Sequence, residues 1–385
     1  MEENEMRKEY LMTPGPTPVP PSVLAAGARP MIHHRTPTYS EIFSNVNEDL
    51  KYVMRTKNDI LTFASSGTGA MESSVVNLFS KGEKVIVASN GKFGDRFSQI
   101  AKIYGLDVIN ISYEWGKVVN SSDIERALSQ NTDVKGVFVT QSETSTGVLN
   151  DIEKIAKAVN KYDVLLIVDS ITGLGAVDIR PDEWGIDVVM SGSQKGLMMP
   201  PGLSCVSVSD KAWEAVEKSD LPKFYFSYAK ARKSLNAKSP TTPFTPAVSL
   251  VISLSEALKM MREEGIDNII KRHEMLAQAA RDGLEAIGLK LFAPPEGRGN
   301  AVTPAYPPEG ISATDIVKKM KADHGITIAD GQDDLKGKVF RVGHLGYYDK
   351  FDILTTLAGL ELVLKSLGYE FELGAGVGAA EAVFA

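Results

Sequence analysis

Between residues 60 and 170, short aliphatic runs alternate with amphipathic stretches, and this alternation most constrains the fold. "ILTFAS", "EKVIVAS", "LDVINISY", "VKGVFVTQ" and "DVLLIVDS" read as strands. The intervening "GTGAMESSVVNLF", "GDRFSQIAKIYG", "SSDIERALS" and "DIEKIAKAVNKY" place apolar residues at helical spacing. Strands that are apolar along their length are buried on both faces, so the pattern predicts an α/β layer around a mostly parallel sheet. Two further strands, "IDVVMSG" and "LSCVSVS", have no long helix between them.

The pattern changes on either side of this layer. "LMTPGPTPVPPSVL" is rich in proline and glycine, which predicts an extended or turning arm over residues 1–21 with a helix starting after Pro21. A large domain is expected over residues 22–262 and a smaller α+β domain over 263–372. A chain of 385 residues, 43% hydrophobic, suits that division. The stretch after Pro222, "KFYFSYAKARKSLNAKSPTTPFTP", shows no clear period and is expected to be a long functional loop. A long helical stretch is expected from about Ala247 through "RHEMLAQAARDGLEAIG". The low-complexity end, "GAGVGAAEAVFA" within residues 373–385, predicts a loosely ordered tail.

Composition excludes several function classes. The net charge is −7 and no basic block occurs, which argues against nucleic acid as a partner. The single cysteine, Cys205, rules out an internal disulfide framework and fits a reducing compartment. "MEENEMRKEY" is too polar for a signal peptide, and no apolar run reaches the roughly 20 residues of a membrane helix. The expectation is a cytoplasmic protein with no metal centre.

The chemistry gathers where strands end. Lys195, in "MSGSQKG", follows a buried strand and a Ser-Gly-Ser turn, and apolar, glycine-rich sequence comes after it. It is expected in or beside a pocket. Ser65, Ser66, Gly67 and Thr68 lie between a strand and a helix, where backbone N–H groups and hydroxyls can cradle a phosphate. A plain turn with an N-cap gives the same pattern. Asp169 ends a buried strand, either facing a cation or capping the next helix. Thr144 and Ser145 end another strand, and Phe93, after a third, either covers a flat ring or belongs to the core. An anion cup, an aromatic face, a buried carboxylate and an amine at one edge of a sheet are what a phosphorylated pyridine aldehyde requires, and pyridoxal 5'-phosphate is that cofactor.

"TPGPTPVP", "SSGTGAME", "SNGKFGDR", "ETSTG", "VDSITGLG" and "SGSQKG…PPG" together resemble the class V pyridoxal-phosphate aminotransferases. The similarity is greatest to the alanine–glyoxylate and serine–pyruvate (serine–glyoxylate) branch, and it runs from "TPGP" to "KVFRVGHLG". It implies fold type I: a large domain with a mostly parallel seven-stranded sheet flanked by helices, and a smaller C-terminal α+β domain. It implies that Lys195 is the Schiff-base lysine, Asp169 the partner of the pyridine nitrogen, and Ile171 the aliphatic side chain under the ring. Gln194, Ser66, Gly67 and Thr68 match the phosphate site, Thr144 the hydroxyl on the ring oxygen, and Phe93 the stacking aromatic. Arg341 matches the arginine that binds the substrate carboxylate, and Gly15 lies in the matching substrate-binding turn.

Relatives lend a tyrosine and a threonine from a neighbouring subunit to the phosphate. The corresponding stretch, "SPTTPFTPAVSL", offers Thr242 and Thr245 and no tyrosine. Some relatives also carry histidine where this chain has Thr68. The implied protein is a homodimer that moves an amino group from a small amino acid, alanine or serine, to glyoxylate or pyruvate. Aspartate- or ureidoglycine-specific transamination, a lyase of the same family, and a non-catalytic cofactor-binding scaffold are the alternatives. A desulfurase needs a mobile cysteine, whereas Cys205 falls inside an apolar strand pattern. "HHRTPTY" (His33, His34, Arg35) lines the substrate pocket or caps a helix.

Overall fold

The structure is a computed structural model that describes residues 8–385; the first seven residues of the polar N-terminus lie outside the described residues. The chain opens with β1 (Tyr10–Leu11), α1 (Pro21–Gly27), α2 (Pro37–Met54) and β2 (Asp59–Phe63). Then come α3 (Gly67–Leu78), β3 (Lys84–Ser89), α4 (Lys92–Ile103), β4 (Asp107–Ser112), α5 (Ser121–Gln130) and β5 (Val134–Thr140). A hairpin of β6 (Ser142–Glu143) and β7 (Val148–Leu149) leads to α6 (Ile152–Val159), β8 (Leu165–Asp169), α7 (Pro181–Trp184), β9 (Val188–Gly192) and β10 (Ser204–Val208). Four helices follow: α8 (Asp210–Lys218), α9 (Tyr228–Leu235), α10 (Val248–Glu264) and α11 (Ile266–Ala286). The chain closes with β11 (Val302–Ala305), α12 (Ala313–His324), β12 (Ile326–Thr327), β13 (Ala329–Asp330), β14 (Phe340–Gly343), α13 (Lys350–Ser366) and α14 (Ala375–Phe384).

Among the described residues, seven strands form the main sheet in the order β2-β10-β9-β8-β5-β3-β4. Val137, Phe138 and Val139, consecutive on β5, are all fully buried. Neighbouring residues of a strand face opposite sides, so both faces of the sheet are covered. β9, β8, β5, β3 and β4 run parallel to one another. β10 is antiparallel to both β9 and β2, as the lack of a crossover helix before it requires. β2 therefore points the same way as the parallel strands, and five carboxyl ends carrying the candidate residues share one edge: β2, β3, β5, β8 and β9.

The second layer is a three-stranded antiparallel sheet, β11-β14-β13, whose Phe340 and Val342 are buried among Leu276, Ile316 and Leu360 of α11, α12 and α13. The N-terminal arm is stitched to this layer. β1 pairs parallel with β12, Gly343 N–H donates to Met12 O (2.8 Å), and Tyr348 Oη donates to Leu11 O (2.8 Å). From there the arm crosses to the main sheet, where Thr17 N–H donates to Gln194 O (3.2 Å).

Two expectations are corrected. The stretch after Pro222 contains a helix, α9, capped by Ser227 and burying Tyr228, Ala231 and Leu235 at helical spacing. The glycine- and alanine-rich end is not a loose tail. It forms α14, packed on α11 and α13. Its small residues allow close approach: a Cβ on Gly376 would lie 2.8 Å from Gly283 O. Its first N–H groups are capped from another helix. Glu361 of α13, 2% exposed, accepts from Gly376 N–H (2.8 Å) and Val377 N–H (3.2 Å), and also from Gly374 N–H. Tertiary contacts supply the order that low complexity lacks. Among the described residues no helix is long and apolar enough to cross a membrane.

Removing the Glu361 carboxylate leaves the buried Gly376 N–H unpaired, at a cost of about 1–3 kcal/mol. Glu361→Ala is expected to lower Tm and to speed amide exchange in residues 374–384 before the rest of the chain. Unchanged exchange there would show that α14 is held by packing alone.

Candidate active site

Lys195 follows β9 by three residues and is 7% exposed. Its Nζ donates to Pro14 O at 2.5 Å. Burial, and next the Arg341 charge, lower its pKa from 10.5 to about 8. The N-terminal arm lies directly over the amine: a Cβ on Gly15 (φ +140°) would fall 2.5 Å from Lys195 Nζ. Only glycine fits at that position.

Asp169 ends β8, beside the β9 end. Its Oδ1 accepts from Ile171 N–H (2.8 Å). Burial raises its pKa to about 7, the charge of Glu143 adds to that, and Lys195 and Arg96 oppose it. The carboxyl is short of a directly bonded cation, and a protonated pyridine nitrogen is such a cation.

The α3 start, Ser66-Gly67-Thr68, is built as the phosphate reading expects. Ser66 occupies the N-cap position without a side-chain capping bond, which leaves the first N–H groups of the helix available to an anion. The absence of a side chain at Gly67 admits Ile171, whose Cδ1 would lie 2.5 Å from a Cβ there. Gln194 Oε1 is buried without a partner, and a 180° turn of the amide would present N–H instead. These donors, with Asp169 and Lys195, fit pyridoxal phosphate at its phosphate, ring nitrogen and aldehyde respectively.

Thr144 is 3% exposed and its Oγ1 pairs with Thr172 Oγ1 (2.6 Å). Phe93 sits in the first turn of α4, with the Arg96 guanidinium 4.6 Å from its ring centroid. Arg96 Nη1 also donates to Thr68 Oγ1 (3.0 Å), which links the aromatic to the cup. Arg341, on the central strand of the small sheet, reaches the same loop. It donates to Thr144 O (3.1 Å) from Nη1, to Asp330 O from Nε (2.9 Å) and Nη2 (2.7 Å), and to Gln332 Oε1 (3.3 Å). Burial lowers its pKa to about 10.

Some expected residues fall elsewhere. Thr242 and Thr245 line a separate pocket with Phe63, Tyr225 and Phe244. His33, His34 and Arg35 form the turn before α2, where His33 O accepts from Thr36, the N-cap residue. The cap of α2 is Thr36 itself, whose side chain accepts from Tyr39 N–H (3.4 Å). Conversely, Arg96 and Glu143 belong to the cluster and lie inside "SNGKFGDR" and "ETSTG", where the aromatic and the hydroxyls carry the sequence signal instead.

Residues 9–341 match the family model described as Aminotransferase class-V. The chain belongs to the class V aminotransferases. It is a transferase that uses pyridoxal phosphate, on the fold type I scaffold. It is 36% identical to the serine–glyoxylate aminotransferase of Methylorubrum extorquens, over 97% of this chain and 95% of that one. It is 47% identical to a protein named soluble hydrogenase, small subunit, from Synechococcus sp. strain PCC 6716, over 98% of each. The crystal structure of ureidoglycine–glyoxylate aminotransferase from Bacillus subtilis superposes with a TM-score of 0.94 at 29% identity, covering 100% of both chains. The hydrogenase name stays with that relative. Iron–sulfur clusters are held by several thiolates, whereas this class V chain has one cysteine, Cys205, buried in β10.

The neutral amine of Lys195 is the form that attacks an aldehyde. Capture of pyridoxal phosphate by the cofactor-free protein is therefore expected to accelerate as pH rises through about 8, the lowered Lys195 value, and then to level off. A rate still climbing at pH 10 would show an amine with an ordinary lysine pKa.

Proposed function

We propose that the protein transfers the amino group of a small amino acid, such as alanine or serine, to glyoxylate or pyruvate in two half-reactions at one site. The observation that carries the reading is a buried lysine amine of lowered pKa beside a buried carboxyl of raised pKa, at the ends of neighbouring strands β8 and β9. When bound, pyridoxal phosphate supplies the carbonyl that takes up the amino group and the ring that absorbs electron density from the α-carbon.

Lys195 Nζ, once released, takes the proton from the substrate α-carbon and returns it in the reverse half-reaction. A pKa near 8 suits an amine that must do both near neutrality. Asp169 keeps the ring nitrogen protonated. Ser66, Gly67, Thr68 and Gln194 hold the phosphate, Ile171 and Phe93 sandwich the ring, and Thr144 bonds its oxygen. Arg341 grips the α-carboxylate with its guanidinium charge and its free Nη2 N–H, the plane fixed by the Asp330 and Thr144 carbonyls. The arm at Gly15 closes the substrate side.

The active unit in this reading is a homodimer in the cytoplasm. Thr242 and Thr245, which line a pocket with Phe63 and Phe244, would serve a partner's phosphate site. The exposed Phe224 (70%) stacks on Phe244 (5.3 Å), and Tyr225 stacks on Phe244 as well (5.6 Å), an apolar patch that a second subunit would cover. Likeness to the ureidoglycine enzyme supports a second reading, in which that compound is the donor.

A half-reaction panel separates these readings. Alanine or serine, added without an acceptor, is expected to bleach the visible absorbance of bound cofactor, and glyoxylate or pyruvate to restore it. In Arg341→Lys the KM for donor and acceptor should rise together by about tenfold, because lysine keeps the charge and loses the planar fork. Bleaching by ureidoglycine alone would move the donor to the second reading, and no bleaching by any amino acid would sink both.

A further inference from the structure

We propose that Glu143 is a positioning residue of this site: its carboxylate holds the helix bearing Phe93 and the loop bearing Thr144 as one unit, and so sets the aromatic against Arg341. The proposal rests on the aminotransferase reading and deepens it.

Glu143 lies on β6, fully buried. Its Oε2 accepts from Phe93 N–H (3.0 Å) and Gly94 N–H (3.2 Å). Its Oε1 accepts from Ser145 N–H (3.1 Å) and Ser145 Oγ (2.5 Å). The Ser145 hydroxyl in turn accepts from Lys92 N–H (3.1 Å). The first three N–H groups of α4 are thus met by two residues from a different strand end. The N-cap residue of α4 is Gly91, which cannot cap its own helix, and a Cβ there would collide with Glu143 Cγ. The missing side chain makes room for the carboxylate. All four partners of Glu143 donate, so a carboxylate satisfies every one of them; burial pushes its pKa up, and these bonds oppose that rise. A full negative charge against a helix N-terminus is the favourable placement.

The other side of the same loop ties to the small domain. Glu143 O closes the turn by accepting from Gly147 N–H (2.8 Å). Gly147 O accepts from Gly299 N–H (3.0 Å), and Thr144 O accepts from Arg341 Nη1 (3.1 Å). One loop therefore joins the first turn of α4, the Thr144 hydroxyl and the arginine across the domain boundary, and Glu143 is its anchor. Asp169 on β8, Lys195 after β9 and Arg341 on β14 lie within its electrostatic reach. The Glu143 charge raises the proton affinity of Asp169, Lys195 and Arg341 alike. An ordinary cap such as Asp151, whose side chain accepts from Lys154 N–H (3.0 Å) at α6, has none of these neighbours.

Three variants test the proposal: Glu143→Gln, Ser145→Ala and, as a cap remote from the site, Asp151→Ala. Each is assayed loaded with pyridoxal phosphate for KM and kcat, and cofactor-free for the pH midpoint of pyridoxal phosphate capture. Glu143→Gln should raise KM for donor and acceptor by about tenfold, the equivalent of one charge-assisted hydrogen bond. It should also move the capture midpoint to lower pH, since losing a nearby anion disfavours the lysine ammonium. Ser145→Ala should raise both KM values by less and keep the wild-type midpoint. Asp151→Ala should lower Tm alone. Glu143→Gln with wild-type KM values and midpoint, or with a lowered Tm only, would make Glu143 a structural cap and overturn the proposal. If Glu143→Gln does not fold, unchanged KM values in folded Ser145→Ala overturn it. Failure of the wild-type protein to capture cofactor at all would instead remove the aminotransferase reading on which the proposal rests.

Discussion

The site depends on one costly placement: a lysine amine taken out of water with a backbone carbonyl, Pro14 O, as its close partner at 2.5 Å. An ammonium so placed is destabilised, and the pKa falls to about 8. The surroundings follow from that. Aliphatic strands β8 and β9 bury the β-sheet edge where Lys195 and Asp169 emerge. The N-terminal arm covers the amine, and its glycine at position 15 is the residue type that can pass so close. Burial displaces the two groups toward each other, the amine downward and the Asp169 carboxyl upward to about 7. Two groups poised near neutrality in one water-poor pocket are suited to moving protons.

The second constraint is assembly across two layers. The amine and its carboxyl belong to the main sheet, and Arg341 belongs to the small one. The Glu143–Gly147 loop and the N-terminal arm both bridge them, the arm through β1–β12 pairing on one side and the Thr17–Gln194 bond on the other. Lys92 Nζ adds an ion pair with Asp333 Oδ1 (2.9 Å), half-exposed and so a weak contributor. Arg341 is oriented by carbonyl oxygens rather than by a carboxylate. It keeps its charge for an incoming anion, where a paired arginine would already be neutralised.

Much of this is legible in the sequence for a local reason. Fully apolar strands announce a doubly covered sheet, and residues just past their ends fall on one edge. Lys195, Asp169, Thr144, Phe93 and the Ser66–Thr68 turn can therefore be gathered from the order of residues alone. Arg96 and Glu143 escape that reasoning because a charged residue in a polar, glycine-rich segment looks like solvent-facing loop. Nothing in "ETSTG" says that the acid turns inward to cap a helix fifty residues earlier. The helix α14 escapes it because its cap, Glu361, is on another helix and its packing rests on glycines. α9 differs: Tyr228, Ala231 and Leu235 keep helical spacing, and the surrounding prolines and lysines mask it. The arm cannot be placed from sequence because a two-residue strand paired more than three hundred residues away leaves no local trace.

Borohydride reduction of the pyridoxal-phosphate-loaded protein identifies the amine that takes up the cofactor. Reduction fixes the cofactor to the amine that holds it, and peptide mapping then locates the bond. One label per chain is expected, on Lys195. A label on any other lysine, or a folded and cofactor-saturated protein that acquires none, would contradict the role assigned to Lys195.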